Sequence, residues 1–133
     1  MNSEKLDVLF IDYDSIIVEQ VKSLLTELKV VNFCTDNLND ALSLLDVKCP
    51  KVVITGRNLP DLPGENIAIR FSELVMFKDN FIYLLLTQEI EKDEMYALLT
   101  LGFNEVFYKT SLKDKITSIV QEKCLRYDGS EAA

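Results

Sequence analysis

Five short runs of apolar residues recur at similar intervals along the chain and alternate with segments of helical periodicity. The runs are rich in Val, Ile, Leu and Phe and occupy residues 8–11, 30–34, 52–55, 81–86 and 105–108. Most of them show no alternation of apolar and polar residues, which is typical of strands buried on both faces. We therefore expect five strands in the interior of the fold.

The intervening segments carry apolar residues at spacings of three and four, which predicts amphipathic helices. Strands that alternate with helices predict parallel pairing through right-handed crossovers. The expected fold class is therefore α/β, a doubly wound (βα)₅ parallel sheet. The helical positions, segment by segment, are Ile17, Val21, Leu24, Leu25 and Leu28; Leu38, Ala41, Leu42 and Leu45; Ile67, Phe71, Leu74 and Val75; Met95, Leu98 and Leu99; and Ile116, Ile119 and Val120.

Residues typical of helix ends support these segments. Asn37 is placed to cap the second helix, and Gly102 to end the fourth. Ser111 and Asp114 have the spacing of a capping box at the fifth. We expect one domain over residues 1–125, followed by a polar segment, 126–133, that is either a frayed end or the start of a linker.

Composition excludes several classes of function. The chain has 133 residues with 22 acidic against 14 basic side chains, a net charge of −8 that disfavours direct nucleic-acid binding. Histidine is absent and the three cysteines are scattered, which argues against a His-based triad and most zinc sites. No apolar run approaches the about 20 residues that cross a bilayer. With no signal peptide and sparse thiols, we expect a cytoplasmic protein without a membrane partner.

Polar residues follow the predicted strands at the edge where ligands bind in such sheets. Neither a GxxxxGK loop nor a GxGxxG motif occurs, so a mononucleotide enzyme is not favoured. An acid, a hydroxyl and an ammonium are instead expected to converge there. The residues at this edge are Asp12, Tyr13, Gly56, Arg57, Thr87 and Lys109.

The order of these motifs resembles the receiver domain of bacterial two-component response regulators, over residues 6–124. The resemblance implies a flavodoxin-like fold with strand order 2-1-3-4-5. In that family an aspartate at the end of strand three takes a phosphoryl group, two acids after strand one hold Mg²⁺, and a threonine and a lysine contact the phosphate. The matching segments are Val8-Leu9-Phe10-Ile11-Asp12, Leu59-Pro60 through Gly64, Leu86-Thr87, and Lys109.

The phosphorylation pocket implied by this resemblance is incomplete. Gly56 stands four residues before Pro60, at the position of the phosphoacceptor, and it has no side chain to phosphorylate. The second acid of the Mg²⁺ pair falls on Tyr13, which leaves Asp12 as a vestigial metal ligand at best. We therefore expect no metal site, no cofactor and no enzymatic activity.

Charges in this pocket need another arrangement if no phosphoryl group binds there. We expect Lys109 to pair with Asp12, because an unpaired buried ammonium is costly. Arg57 is a candidate for a positive charge over the acidic edge, and Thr87 for a hydroxyl satisfied by the backbone. Thr110 follows Lys109 where the family usually has proline, so a trans peptide bond is expected there.

The resulting prediction is a receiver-like protein-interaction module in bacterial signalling that cannot be phosphorylated in the usual way. The contact face is expected on the fourth helix, fifth strand and fifth helix, with a protein partner or a copy of this chain, as in a homodimer. Aromatic side chains make good anchors, although at least one of the two on strand five should be core. The candidates for this face are Tyr96, Phe103, Phe107 and Tyr108.

Two alternatives remain open from the sequence. A working receiver could use Asp14 or Asp61 as its phosphoacceptor, with Mg²⁺, although Asp14 also fits a cap of the first helix and Asp61 a turn. A flavodoxin-like cofactor binder would share the same strand order. Its phosphate loop should be rich in Ser, Thr and Gly, whereas this chain has Tyr13-Asp14-Ser15-Ile16.

Overall fold

The computed structural model describes residues 6–45, 47, 48, 50–57 and 81–125. Within these ranges the chain forms strands β1 (Val8–Ile11), β2 (Asn32–Thr35), β3 (Val52–Gly56), β4 (Phe81–Leu86) and β5 (Glu105–Tyr108), and helices α1 (Ser15–Glu27), α2 (Leu38–Leu45), α3 (Lys92–Thr100) and α4 (Leu112–Val120). A 3₁₀ turn, Lys109–Ser111, precedes α4, and a π-helical turn, Gln121–Leu125, follows it.

Helices α3 and α4 are the fourth and fifth helical segments of the sequence analysis. The predicted third helix around residues 67–75, the loop with Pro60 and Asp61, and the segment 126–133 lie outside the described residues. The predicted domain boundary at residue 125 therefore stays a prediction.

The five strands pair in the order β2-β1-β3-β4-β5, and every pair is parallel. This confirms the predicted α/β class and the strand order 2-1-3-4-5. In register, Ile11 of β1 lies beside Thr55 of β3, so the residues that follow, Asp12 and Gly56, are neighbours at the carboxyl edge of the sheet.

Apolar residues on both faces of the sheet form the core. Val8 and Phe10 of β1 pack on the side of α1 and α4, whereas Leu9 and Ile11 pack on the side of α2. All residues of β1 and β3 are buried, which confirms the prediction from their unbroken apolar runs.

Strand β2 begins two residues later than predicted because the end of α1 uses the intervening backbone. The N–H of Lys29 donates to the carbonyl of Thr26, and the N–H of Val30 donates to that of Leu25, at 3.3 Å. Lys29 adopts a left-handed φ of 65°, as the residue after a helix often does. Val30 therefore belongs to the helix cap, although its side chain joins the core.

Most of the predicted caps are confirmed. The side chain of Asn37 accepts the N–H of Asp40 at 3.1 Å, and Asp14 accepts that of Ile16 at 3.0 Å. Gly102 follows α3 with a φ of 116°, a conformation that favours glycine.

The predicted capping box at Ser111 is wrong. The side chain of Ser111 makes no capping hydrogen bond, and its φ of −109° and ψ of 19° differ from the extended backbone of an ordinary N-cap. The reason is the 3₁₀ turn that precedes α4, in which the N–H of Leu112 donates to the carbonyl of Lys109.

Candidate functional site

The candidate site lies at the carboxyl edge of the sheet, where β1, β3, β4 and β5 end. Parallel pairing places the residues after these strands along one edge, as expected for this class of fold. Asp12 follows β1, Gly56 ends β3, Thr87 follows β4 and Lys109 follows β5. Of these side chains, only Asp12 is buried; Thr87 and Lys109 are exposed.

The Asp12 carboxylate is held by the backbone of its own loop. Its Oδ1 accepts the N–H of Asp14 at 3.0 Å, and the backbone of Tyr13 also donates to it. The main-chain N–H of Asp12 donates to the carbonyl of Thr35 in β2, which fixes the residue at the sheet edge. The side chain is 3% exposed. Asp12 is thus a rigidly placed, buried acid.

Glycine at position 56 makes room for this carboxylate. A Cβ built on Gly56 would overlap Oδ2 of Asp12 and would lie 2.8 Å from its Cγ. Real Cβ atoms do not approach other atoms so closely, so a side chain at position 56 requires Asp12 to move. The acid that follows β1 therefore occupies the volume that a side chain at the end of β3 would need.

Burial determines the electrostatics of Asp12. Desolvation raises its pKa above the ordinary value of 3.8, and the negative charge of Asp14 raises it further. The backbone hydrogen bonds from Asp14 and Tyr13 act in the opposite direction, and Lys109 lowers the pKa least. The carboxyl group of Asp12 is therefore easier to protonate than an aspartate in water.

The predicted ion pair between Lys109 and Asp12 is not formed. Both residues are described, yet no ion pair joins them, and Lys109 is exposed. Lys109 opens the 3₁₀ turn at the end of β5 and is exposed there. An exposed lysine gains little from a surface ion pair, so the charge of Asp12 does not suffice to bring the ammonium into contact with it.

Arg57 contacts an acid on α3. Its guanidinium lies 2.6 Å from Oε2 of Glu94, and both side chains are partly exposed. The role of Arg57 as a positive charge over Asp12 stays a prediction.

Tyr13 and Thr87 are both exposed to solvent at this edge of the sheet. The side chain of Tyr13 is 54% exposed, although the resemblance would place a metal-binding acid there. Thr87 and Gln88 are exposed as well. The hydroxyl of Thr87 makes no hydrogen bond to the backbone of the described residues, so its expected backbone partner is not found. The side chain is exposed to solvent instead.

The acids at this edge do not fit a Mg²⁺ site. A hard divalent cation takes several oxygen ligands, preferably carboxylates. The carboxylate of Asp12 lies over Gly56, Tyr13 has no carboxylate to offer, and Asp14 uses an oxygen to cap α1. Across the described ranges, no group of three or more His, Cys, Asp or Glu side chains could hold a metal ion.

The predicted aromatic face is mostly core. Phe103 and Phe107 are buried, and Tyr108 packs against the apolar cluster beneath α3. Only Tyr96 is strongly exposed, at 73%. Sequence reasoning missed its exposed neighbour Leu99, three residues further along α3; that spacing is the signal that could have found it.

Comparisons with known proteins identify the fold. No family model matches the chain. An uncharacterized 14.6 kDa protein in the sodA1 3′ region of Leptolyngbya boryana is 24% identical over 123 residues, which are 92% of this chain and 93% of the relative.

No helix in the described ranges is long and apolar enough to span a membrane.

Solved structures give the clearest likeness. The signal receiver domain of a putative Luxo repressor protein from Vibrio parahaemolyticus superposes with a TM-score of 0.78 at 16% identity, covering 97% of each chain. Chemotaxis protein CheY4 of Vibrio cholerae gives 0.79 at 18% identity, covering 90% of this chain and 99% of its own. This chain has the receiver fold.

The steric coupling between Asp12 and Gly56 can be measured. Gly56→Ala is expected to lower the free energy of unfolding by about 1–3 kcal/mol, because the new Cβ displaces a buried carboxylate. In an Asp12→Ala background the same change should cost much less. Urea unfolding of the four proteins should give a coupling energy of at least about 1 kcal/mol. If the losses in the free energy of unfolding from the two single substitutions simply add in the double variant, the proposed contact is wrong.

The raised pKa of Asp12 predicts a pH-dependent stability. The folded chain holds this proton to higher pH than the unfolded chain, so the contribution is complete below pH 3.8 and is lost as the pH rises through the folded-state pKa. Asp12→Asn keeps a neutral side chain that can accept the N–H of Asp14. We expect the variant to gain stability relative to wild type as the pH rises above 3.8, measured by urea unfolding at several pH values. If the difference in the free energy of unfolding between the variant and wild type does not change with pH, the prediction is wrong.

Proposed function

We propose that this chain is a receiver-like protein-interaction module of bacterial signal transduction, in the cytoplasm, that takes no phosphoryl group at the end of β3. The observation that carries this proposal is the Asp12 carboxylate over Gly56. Phosphoryl transfer to this position needs a carboxylate on β3, which glycine lacks. The volume that such a group would need is filled by Asp12.

Asp14, the alternative phosphoacceptor nearest to Asp12, has a structural role. Oδ1 of Asp14 accepts the N–H of Ile16 and caps α1, an interaction worth about 1 kcal/mol. Phosphorylation of Asp14 would compete with this cap. Asp61, the other alternative, lies outside the described residues.

An exposed apolar strip on α3 supports the interaction role. Tyr96 and Leu99, which we call the α3 strip, are three residues apart and 73% and 40% exposed. Residues at this spacing share one face of a helix. The opposite side of α3 is anchored by buried Leu98. A partly apolar outer face that includes a tyrosine suits contact with another protein.

Incubation with acetyl phosphate and Mg²⁺ tests the absence of phosphorylation. We expect intact-mass spectrometry to show no phosphoryl adduct under conditions that phosphorylate an active receiver, the positive control. An adduct that disappears in Asp14→Asn or Asp61→Asn would contradict the proposal and support a working receiver with a displaced acceptor.

Substitution of the α3 strip tests the interaction role. Tyr96→Ser with Leu99→Ser should weaken binding by about tenfold or more, because both anchors are lost. Val47→Ser, at a residue 75% exposed outside this helix, is the control and should bind as wild type does. The measurements are sedimentation velocity over a range of concentrations and capture from an extract of the source bacterium. If neither self-association nor any captured protein depends on the strip, the assigned face is wrong.

A further inference from the structure

A groove of about 580 Å³ lies between α1 and the start of α4, apart from the Asp12 pocket. Its volume is within the usual range for small-molecule sites, about 300–1,000 Å³. Ser23, Leu24 and Glu27 of α1 line one wall, and Lys109, Thr110 and Lys113 contribute to the other. Two lysines, two residues with hydroxyl groups and apolar side chains are therefore among the residues that line the groove.

Neither lysine forms an ion pair in the described part of the chain. No ion pair involves Lys109 or Lys113, whereas Lys115 pairs with Glu105 and Arg57 with Glu94. The chain has 22 acidic against 14 basic residues, so acids are plentiful elsewhere. Two like charges on one groove repel each other, and an anion between them would relieve that repulsion.

The neighbouring groups define the kind of anion. The hydroxyls of Ser23 and Thr110 can donate hydrogen bonds to the terminal oxygens of a phosphate, and lysine is a common phosphate ligand. The side chain of Leu24 offers apolar contact for an organic body. Glu27 reduces the net positive charge of the groove to one, which disfavours a long polyanion.

We propose that the groove between α1 and α4 binds a small organic phosphate, with Lys109 and Lys113 as its charged ligands. Ser23 and Thr110 donate to the phosphate oxygens, and Leu24 contacts the organic part. Asp12 and Gly56 do not line this groove, so the site does not depend on whether the chain can be phosphorylated at the end of β3.

Amide NMR titration with phenyl phosphate tests the site. We expect saturable shifts at the amides of Ser23, Thr110 and Lys113. Inorganic phosphate should bind more weakly because it lacks the organic part, and benzyl alcohol should produce no saturable shift because it lacks the charge. Equal binding of either probe would overturn the assignment.

Two double variants with the same charge change identify the ligands. Lys109→Gln with Lys113→Gln should weaken phenyl phosphate binding by about tenfold or more, since two charge-assisted hydrogen bonds are lost. Lys22→Gln with Lys92→Gln removes two exposed lysines that do not line the groove and should bind as wild type does. Equal losses in both variants, unchanged binding in the first, or no saturable binding by wild type would overturn the site. All four substitutions are at exposed residues, and amide spectra verify the fold of each variant.

Discussion

Two interior strands of the sheet, β1 and β3, have no face in contact with water. Their backbone N–H and C=O groups must form hydrogen bonds with neighbouring strands. Their apolar side chains must pack against helices on both sides of the sheet. This requirement fixes the parallel register that sets Ile11 beside Thr55. Because the register is fixed, the next residues along each strand, Asp12 and Gly56, meet at the sheet edge. The geometry of the site thus follows from the burial of the sheet.

The fold and the residues at this edge can be predicted from the sequence, but the positions of their side chains cannot. Unbroken apolar runs indicate buried strands, and helical spacing indicates the helices that cover them, because neither pattern depends on how individual side chains pack. The position of the Asp12 carboxylate over Gly56 depends on a hydrogen bond from the Asp14 backbone, which no spacing encodes. The sequence predicts a partly buried Lys109, whereas the residue opens a 3₁₀ turn and is exposed.

The exposed face on α3 shows a second limit of sequence reasoning. This helix has apolar residues on both sides: Leu98 enters the core, whereas Tyr96 and Leu99 remain outside. Periodicity gives the residues that share a side, but the packing of α3 against the sheet decides which side is covered. Phe103, a candidate for the contact face from the sequence, belongs to the apolar cluster that also contains Leu98.

The ion pair between Arg57 and Glu94 joins the candidate site to this helix. Arg57 follows Gly56 directly, and Glu94 is two residues from Tyr96. An ion pair therefore connects the edge of the sheet with α3. Glu94 and Tyr96 are two residues apart, so their side chains leave the helix on different sides. The contact between the strand end and the helix is thus made by the residue after Gly56, and it needs no side chain at position 56 itself.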